Sequence, residues 1–387
     1  MSSSFPNNSS ADASRSARGN LKVYLGYAAG VGKTYQMLEE GHDLLANGVD
    51  LVVGYFEHHE RPDTTALLEG LNIIPRRVIE YRGARFEEMD TEAIIRRSPQ
   101  VALVDEFPHT NVPGSARAKR WEDVLYLLDH GIDVWTTMNV QHLESLNDEV
   151  YQMSGVRIRE TIPDWVIQQA SEVVMVDLAP RALLNRLDRG AIYHQVEKAQ
   201  NARRNFFKES TLVGLREFAL RETAFEVEAR NTGETASAGT RREPAEANGS
   251  GPRSKQERVL VLLTPQPSTA AVIRRGKRMA DYFKGECVAV AVCPRGDSRS
   301  LKAPEREALE KHLRFAHNLH VPTHVLSGSD VARELSSFAH QHGISQIYLP
   351  RPRLSVWEFP FSRGLIQRMM KLAGDIEITL VAERLPG

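Results

Sequence analysis

The stretch LKVYLGYAAGVGKTYQMLEE, residues 21–40, passes from a short apolar run through small residues to Lys-Thr and then a helix-forming run. The order strand, small-residue loop, Lys-Thr, helix suits a phosphate. Small residues let successive backbone N–H groups approach the anion, and the helix N-terminus adds a favourable dipole. Ala28, Ala29, Gly30, Val31, Gly32, Lys33 and Thr34 form the candidate cradle, with Lys33 reaching the β and γ phosphates of ATP and Thr34 ligating Mg²⁺. The pattern G-x-x-x-x-G-K-[ST] places a glycine at position 27, where this chain has Tyr27, with Gly26 one residue earlier.

Working outward, QVALVDEFPHT ends an apolar run on two carboxylates, Asp105 and Glu106. Ligands of open α/β sheets gather at the C-terminal edge of the strands, which is where such a pair would stand. Asp105 is the candidate for the Mg²⁺ shell. Glu106 is the candidate catalytic residue, polarising a water for ATP hydrolysis. Thr136, Thr137, Asn139 and Gln141, in TTMNVQH, are polar groups after the next strand. They suit either a γ-phosphate contact or ordinary helix capping. His58, His59 and His109 show no metal-ligand spacing and read as loop histidines. Arg117, Lys119 and Arg120 could touch phosphate, but a charged helix face is the more common reading of such a run.

Strand-like runs KVYLG, DLVVGYF, QVALVD, DVWTTMNV and EVVMVDL alternate with helical stretches such as TYQMLEEGHDLLA, which predicts an α/β domain with a parallel sheet. Residues 189–228 carry no clear strand and form a helical extension, so the domain spans 21–228. Residues 229–256, rich in Gly, Pro, Ser and charge, read as a flexible linker, and residues 1–20 as a disordered tail. A cut between Arg230 and Lys255 is expected to leave both flanking domains folded. The runs RVLVLLT, ECVAVAV, PTHVLS, SQIYLP and EITLVAE then predict a second, five-stranded doubly wound domain over 257–385.

The 387 residues carry a formal net charge of −1, which gives no field for nucleic acid or an anionic membrane surface. Nothing approaches the ~18 consecutive apolar residues of a membrane span. Cys287 and Cys293, six residues apart in one strand, are separated by roughly 20 Å, too far for a disulfide. Both are expected buried and reduced, in a cytoplasmic protein.

GYAAGVGKTYQML, TTALLEGLNIIPRR, VDEFPHTNVPGS, KRWEDV, GIDVWTTMNVQHLESLND and GVRIRETIPD together resemble the cytoplasmic N-terminal region of the KdpD family of sensor histidine kinases, nearly continuously from about Leu21 to Ala224. The second domain resembles the universal stress protein domain that follows in that family. RVLVLLTPQPSTAAVIRRGKRMAD is similar to its first strand and helix, and GDIEITLV to its last strand. The resemblance implies a soluble ATP-binding sensory module of the potassium and osmotic two-component response, with a sensor histidine kinase or another protein of that response as partner. Some relatives of the second domain bind cyclic di-AMP, and Ser268 and Thr269 occupy its first loop. The stretch corresponding to the glycine-rich ATP site of that fold instead holds Pro350, Pro352, Trp357, Phe359, Pro360 and Phe361, so ATP binding by the second domain is not expected. No His lies in a sequence like a phosphotransfer helix, and the membrane helices and kinase domain of complete relatives do not follow. Autokinase activity is therefore not expected. A P-loop ATPase or phosphotransferase using Glu106 is the enzyme alternative, and a cyclic di-AMP-binding adaptor a further one.

Overall fold

The computed structural model describes residues 18–57, 62–193, 203, 206–237, 257–283, 285–351 and 359–382. It divides into two compact units, one of Met1–Val140 with Gln169–Val227, the other of Gln141–Gln168 with Glu228–Gly387.

The first unit is built on a six-stranded parallel sheet in the order β3-β2-β6-β7-β1-β8. The strands are β1 Leu21–Gly26, β2 Leu51–Tyr55, β3 Asn72–Ile73, β6 Val101–Val104, β7 Asp133–Asn139 and β8 Glu172–Met175. The apolar runs of β1, β2 and β6 are buried along nearly their whole length, as strands covered by helices on both faces must be. All five strand-like runs of the sequence form strands. Three elements carry too little apolar signal to be read beforehand: the two-residue β3 and an antiparallel ribbon of β4 Arg77–Tyr81 and β5 Ala84–Glu88. The ribbon is mostly exposed and charged, and Arg82 and Gly83, both with positive φ, close its turn.

Register decides which residues meet. Gly26, at the end of β1, pairs with Asn139 of β7, and Val104, at the end of β6, pairs with Thr136. The phosphate-loop candidates, the DEF turn and the TTMN stretch therefore come together at one edge. The helix Glu209–Ser237 supplies the expected helical extension and runs on into the stretch read as linker. Residues 1–17 and 238–256 lie outside the described residues.

The second unit contains a five-stranded parallel sheet in the order β11-β10-β9-β12-β13, with β9 Arg258–Leu263 at its centre, β10 Glu286–Cys293, β11 Thr323–Ser327, β12 Gln346–Pro350 and β13 Glu377–Val381. Alternate residues of β9 face opposite layers. Val259, Val261 and Leu263 join a core with the helices Thr269–Tyr282 and Ala303–Asn318. Leu260 and Leu262 join another with the helices Val331–Gln341 and Phe359–Leu372. This is the doubly wound arrangement the sequence predicts. Cys287 and Cys293 are free and buried in β10, and burial pushes the Cys287 thiol up to about 12. Of the residues argued against ATP binding, Pro352 and Trp357 lie outside the described residues.

Gln141–Gln168 belongs to the second unit, although its sequence sits between β7 and β8 of the first. Arg274, on the helix Thr269–Tyr282, grips Asp148 through Nε at 2.9 Å and Nη2 at 2.8 Å, and donates from Nη1 to Glu144 at 3.1 Å. Arg278, one turn on, pairs with Glu149. At the other end of the segment, Trp165 stacks on His320 at 4.0 Å and donates its indole N–H to the Asn318 carbonyl at 2.7 Å.

Candidate functional site

The loop after β1 is shaped by two glycines in left-handed backbone. Gly30 has φ 86° and Gly32 φ 114°, a region that penalises other L residues. A Cβ on Gly30 would also stand 2.6 Å from the Ile192 side chain. Gly32 caps the helix Lys33–Ala46, which has no acidic residue in its first turn to offset the partial positive charge of its N-terminus. Tyr27, at the position where the pattern has glycine, is fully buried. Its hydroxyl donates to the Leu178 carbonyl at 2.7 Å, which ties the start of the loop to the segment after β8. Burial, with the nearby Asp177 carboxylate, pushes its phenol up to about 12.

Lys33 lies over the ends of β1 and β7. Its ammonium donates to Asn139 Oδ1 at 2.6 Å and to the Ala28 carbonyl at 3.3 Å. The Thr34 hydroxyl donates to Asp105 Oδ1 at 3.1 Å, and the Thr137 hydroxyl donates to the same oxygen at 2.5 Å. Asp105 is fully buried at the end of β6. Register explains this: Val104 pairs with Thr136, so the next residue on each strand, Asp105 and Thr137, face each other. Thr137 also accepts from the Glu106 backbone N–H at 3.3 Å. The open alternatives for the TTMN stretch are thereby divided. Thr137 and Asn139 join the site, whereas Thr136 donates to the Val104 carbonyl inside the sheet. Gln141 lies in the second unit.

A buried guanidinium holds the DEF turn. Glu106 has φ 57°, strained for a non-glycine residue. The Arg120 guanidinium donates to the Asp105 carbonyl at 3.3 Å and the Glu106 carbonyl at 3.4 Å. It pairs with Glu88 at 3.3 Å and lies 3.5 Å from the Tyr55 ring centre. Arg120 is fully buried, not part of a solvated charged face. Glu88 also contacts His109 Nε2 at 3.0 Å and accepts the Val112 N–H at 2.9 Å. Burial alone would raise the Glu88 pKa, but the hydrogen bonds with His109 and the Val112 N–H, together with the Arg120 guanidinium, outweigh it and hold it below the ordinary carboxylate value. His109 is therefore half-buried and partnered, while His58 and His59 lie outside the described residues.

The donors fit a magnesium nucleotide. Among the described residues no cluster of three or more His, Cys, Asp or Glu could hold a metal ion. Mg²⁺ bound with phosphates needs only one or two protein oxygens, and the Thr34 hydroxyl and Asp105 carboxylate, already 3.1 Å apart, are of that kind.

The chain matches the family model described as "Osmosensitive K+ channel His kinase sensor domain" over residues 17–227. It is 40% identical over 372 residues to a KdpD sensor protein of Synechocystis sp., covering 94% of each chain. It is 40% identical to sensor protein KdpD of Mycobacterium tuberculosis and 38% identical to that of Escherichia coli, each over 365 residues and 94% of this chain. The chain spans 41% and 39% of the length of those two proteins. Among solved structures, a universal stress protein in complex with cAMP aligns at 12% identity with a TM-score of 0.26, covering 32% of this chain and 95% of that one. Another, from Archaeoglobus fulgidus, aligns at 14% identity with the same TM-score.

Proposed function

Since the chain belongs to the KdpD family, we propose that it is an ATP- and Mg²⁺-binding regulatory module of cytoplasmic potassium and osmotic two-component signalling. One observation carries the nucleotide part: Lys33, Thr34, Asp105, Thr137 and Asn139 converge at the C-terminal edge of β1, β6 and β7. A cation, two hydroxyls and a carboxylate beside a helix N-terminus form a phosphate and metal site, not a packed core. In this reading Ala28 to Gly32 wrap the phosphates, and Thr34 and Asp105 hold the metal. A sensor histidine kinase or another protein of the response reads the nucleotide-dependent state. Glu106 serves at most slow hydrolysis. Among the described residues no helix is long and apolar enough to cross a membrane.

Calorimetry with ATP, with and without Mg²⁺, tests the proposal. Losing a charged contact in a desolvated loop costs on the order of 2–5 kcal/mol. Lys33→Ala is therefore expected to weaken binding at least about tenfold. Unchanged affinity in that variant would remove the loop from the site.

A second ligand reading has its own observation. In the second unit a cavity of about 300 Å³ is lined by Ser268, Arg157, Arg275 and Arg278, among others. Thr269 is engaged with Thr264, but the buried Ser268 hydroxyl makes no capping bond to its helix. A cyclic dinucleotide such as cyclic di-AMP offers phosphodiesters for such guanidinium groups. Titration with cyclic di-AMP decides it: saturable binding lost in Ser268→Ala supports the reading, and no binding ends it.

A further inference from the structure

Asn139 ends β7 with its side-chain oxygen on the Lys33 ammonium. The chain passes from the first unit to the second between Val140 and Gln141, so a single residue separates Asn139 from the second unit. Two short turns follow, Val140–His142 and Glu144–Leu146, and then the helix Asn147–Ser154. Within the second unit, Glu144, Asp148 and Glu149 of this segment hold Arg274 and Arg278 of the helix Thr269–Tyr282.

A phosphate in the loop would compete for the same ammonium. An ionised phosphate oxygen is a stronger acceptor than a neutral amide oxygen, so the anion draws Lys33 away from Asn139. Asn139 then has two discrete arrangements, one bonded to Lys33 and one released, and phosphate favours the second. That differential contact is what a ligand needs to shift a conformational equilibrium.

We propose that Asn139 reports whether the phosphate loop is filled, and that Gln141–Gln168 carries the report to the helix Thr269–Tyr282. The proposal rests on the ATP-binding reading above and adds the device by which the second unit responds. The pairing of Asn139 with Gly26 in the sheet remains, but release of the Asn139 side chain removes one tether of the turn at Val140–His142. The amides just beyond it open more often, while the Arg274 and Arg278 pairs pass the change to their helix.

Hydrogen exchange on the full chain tests this. Losing a hydrogen bond worth about 1–1.5 kcal/mol raises local opening about five- to tenfold. ATP with Mg²⁺ is expected to raise exchange of residues 141–146 by that factor. Asn139→Ala without nucleotide is expected to raise it equally. In Arg274→Gln, ATP should bind with affinity within about twofold of the parent, but exchange in residues 269–282 should no longer respond. Should that variant not fold, Arg278→Gln, at the more exposed of the two pairs, takes its place. ATP binding with unchanged exchange in 141–146 overturns the coupling and leaves the ATP site standing. No ATP binding overturns both. Parent-like exchange in unliganded Asn139→Ala overturns the coupling whatever ATP does.

Discussion

Replacing Arg274 with Glu is expected to break the second unit into its two chain pieces. The guanidinium side chain is only 8% exposed and makes three charge-assisted hydrogen bonds, two to Asp148 and one to Glu144. Breaking a buried pair by removing one partner costs about 3–5 kcal/mol, because the charge left behind has lost its solvent as well as its partner. Asp148 retains a quarter of its exposure, which favours the lower end of that range. At 1.4 kcal/mol per decade, about 3 kcal/mol is a weakening of about a hundredfold. Reversal to Glu adds repulsion from two carboxylates.

The assay needs a protease site inserted within residues 238–256. After cleavage, Gln141–Gln168 and residues 257–382 lie on different fragments. In the parent protein the fragments are expected to co-elute on gel filtration at moderate salt. In Arg274→Glu they are expected to separate, and Asp148→Arg added to Arg274→Glu should restore much of the association. If the parent fragments separate at once, or the Arg274→Glu fragments stay together, the pairing does not hold the second unit together.

Asp105→Asn should weaken the Mg²⁺-dependent part of ATP affinity about tenfold or more, whereas Glu106→Gln should leave binding intact and lower any hydrolysis, both read by calorimetry and phosphate release. An equal effect of the two changes would refute the division of roles. Asp164, which accepts the Ser145 N–H at 3.1 Å, has its carboxyl pushed up to about 6, chiefly by burial and further by Asp281 and Glu144. A raised carboxyl pKa means stability that is full below about pH 4 and lost as the pH rises through 6, so Asp164→Asn should stabilise the protein at pH 7.5, by at most about 3 kcal/mol, and hardly at all below pH 4. A melting-temperature difference that does not change with pH would rule out that cause. Arg120→Met should lower thermal stability by about 3 kcal/mol, because it leaves Glu88 buried without its guanidinium partner. A melting temperature close to the parent's would show that the pair is not buried as described.

Much of the fold was legible because its signals are local. Each buried strand is an apolar run, and glycines mark the candidate phosphate loop. Thr137 and Asn139 were legible only as two of four open candidates, since the choice among them depends on register: Asn139 meets Lys33 because β7 lies beside β1 with Gly26 opposite Asn139. Arg120 looked like a solvated helix residue because its partner Glu88 is 32 positions away, at the end of a ribbon with little apolar signal. The membership of Gln141–Gln168 in the second unit was equally hidden. Asp148 and Arg274 are 126 positions apart, and nothing near either one announces the other.

These long-range pairs bear on how a nucleotide site could work in a signalling chain. A site confined to one sheet edge gives a second unit nothing to respond to unless some element is sensitive to both. Here the strand that ends on Asn139 continues into the segment that Arg274 holds. Lys33 binds one end of that path through a neutral amide, which a phosphate can displace. The other end is held by paired charges, which resist displacement by the same ligand. In the proposed coupling, a weak latch at the ligand end lets occupancy change the latch, and a strong clamp at the other end passes the change on. By linkage, the second unit acts back on the loop with the same coupling energy. Reversing those strengths, with a carboxylate at position 139 and neutral partners for Arg274, should leave a chain whose phosphate loop no longer affects the second unit.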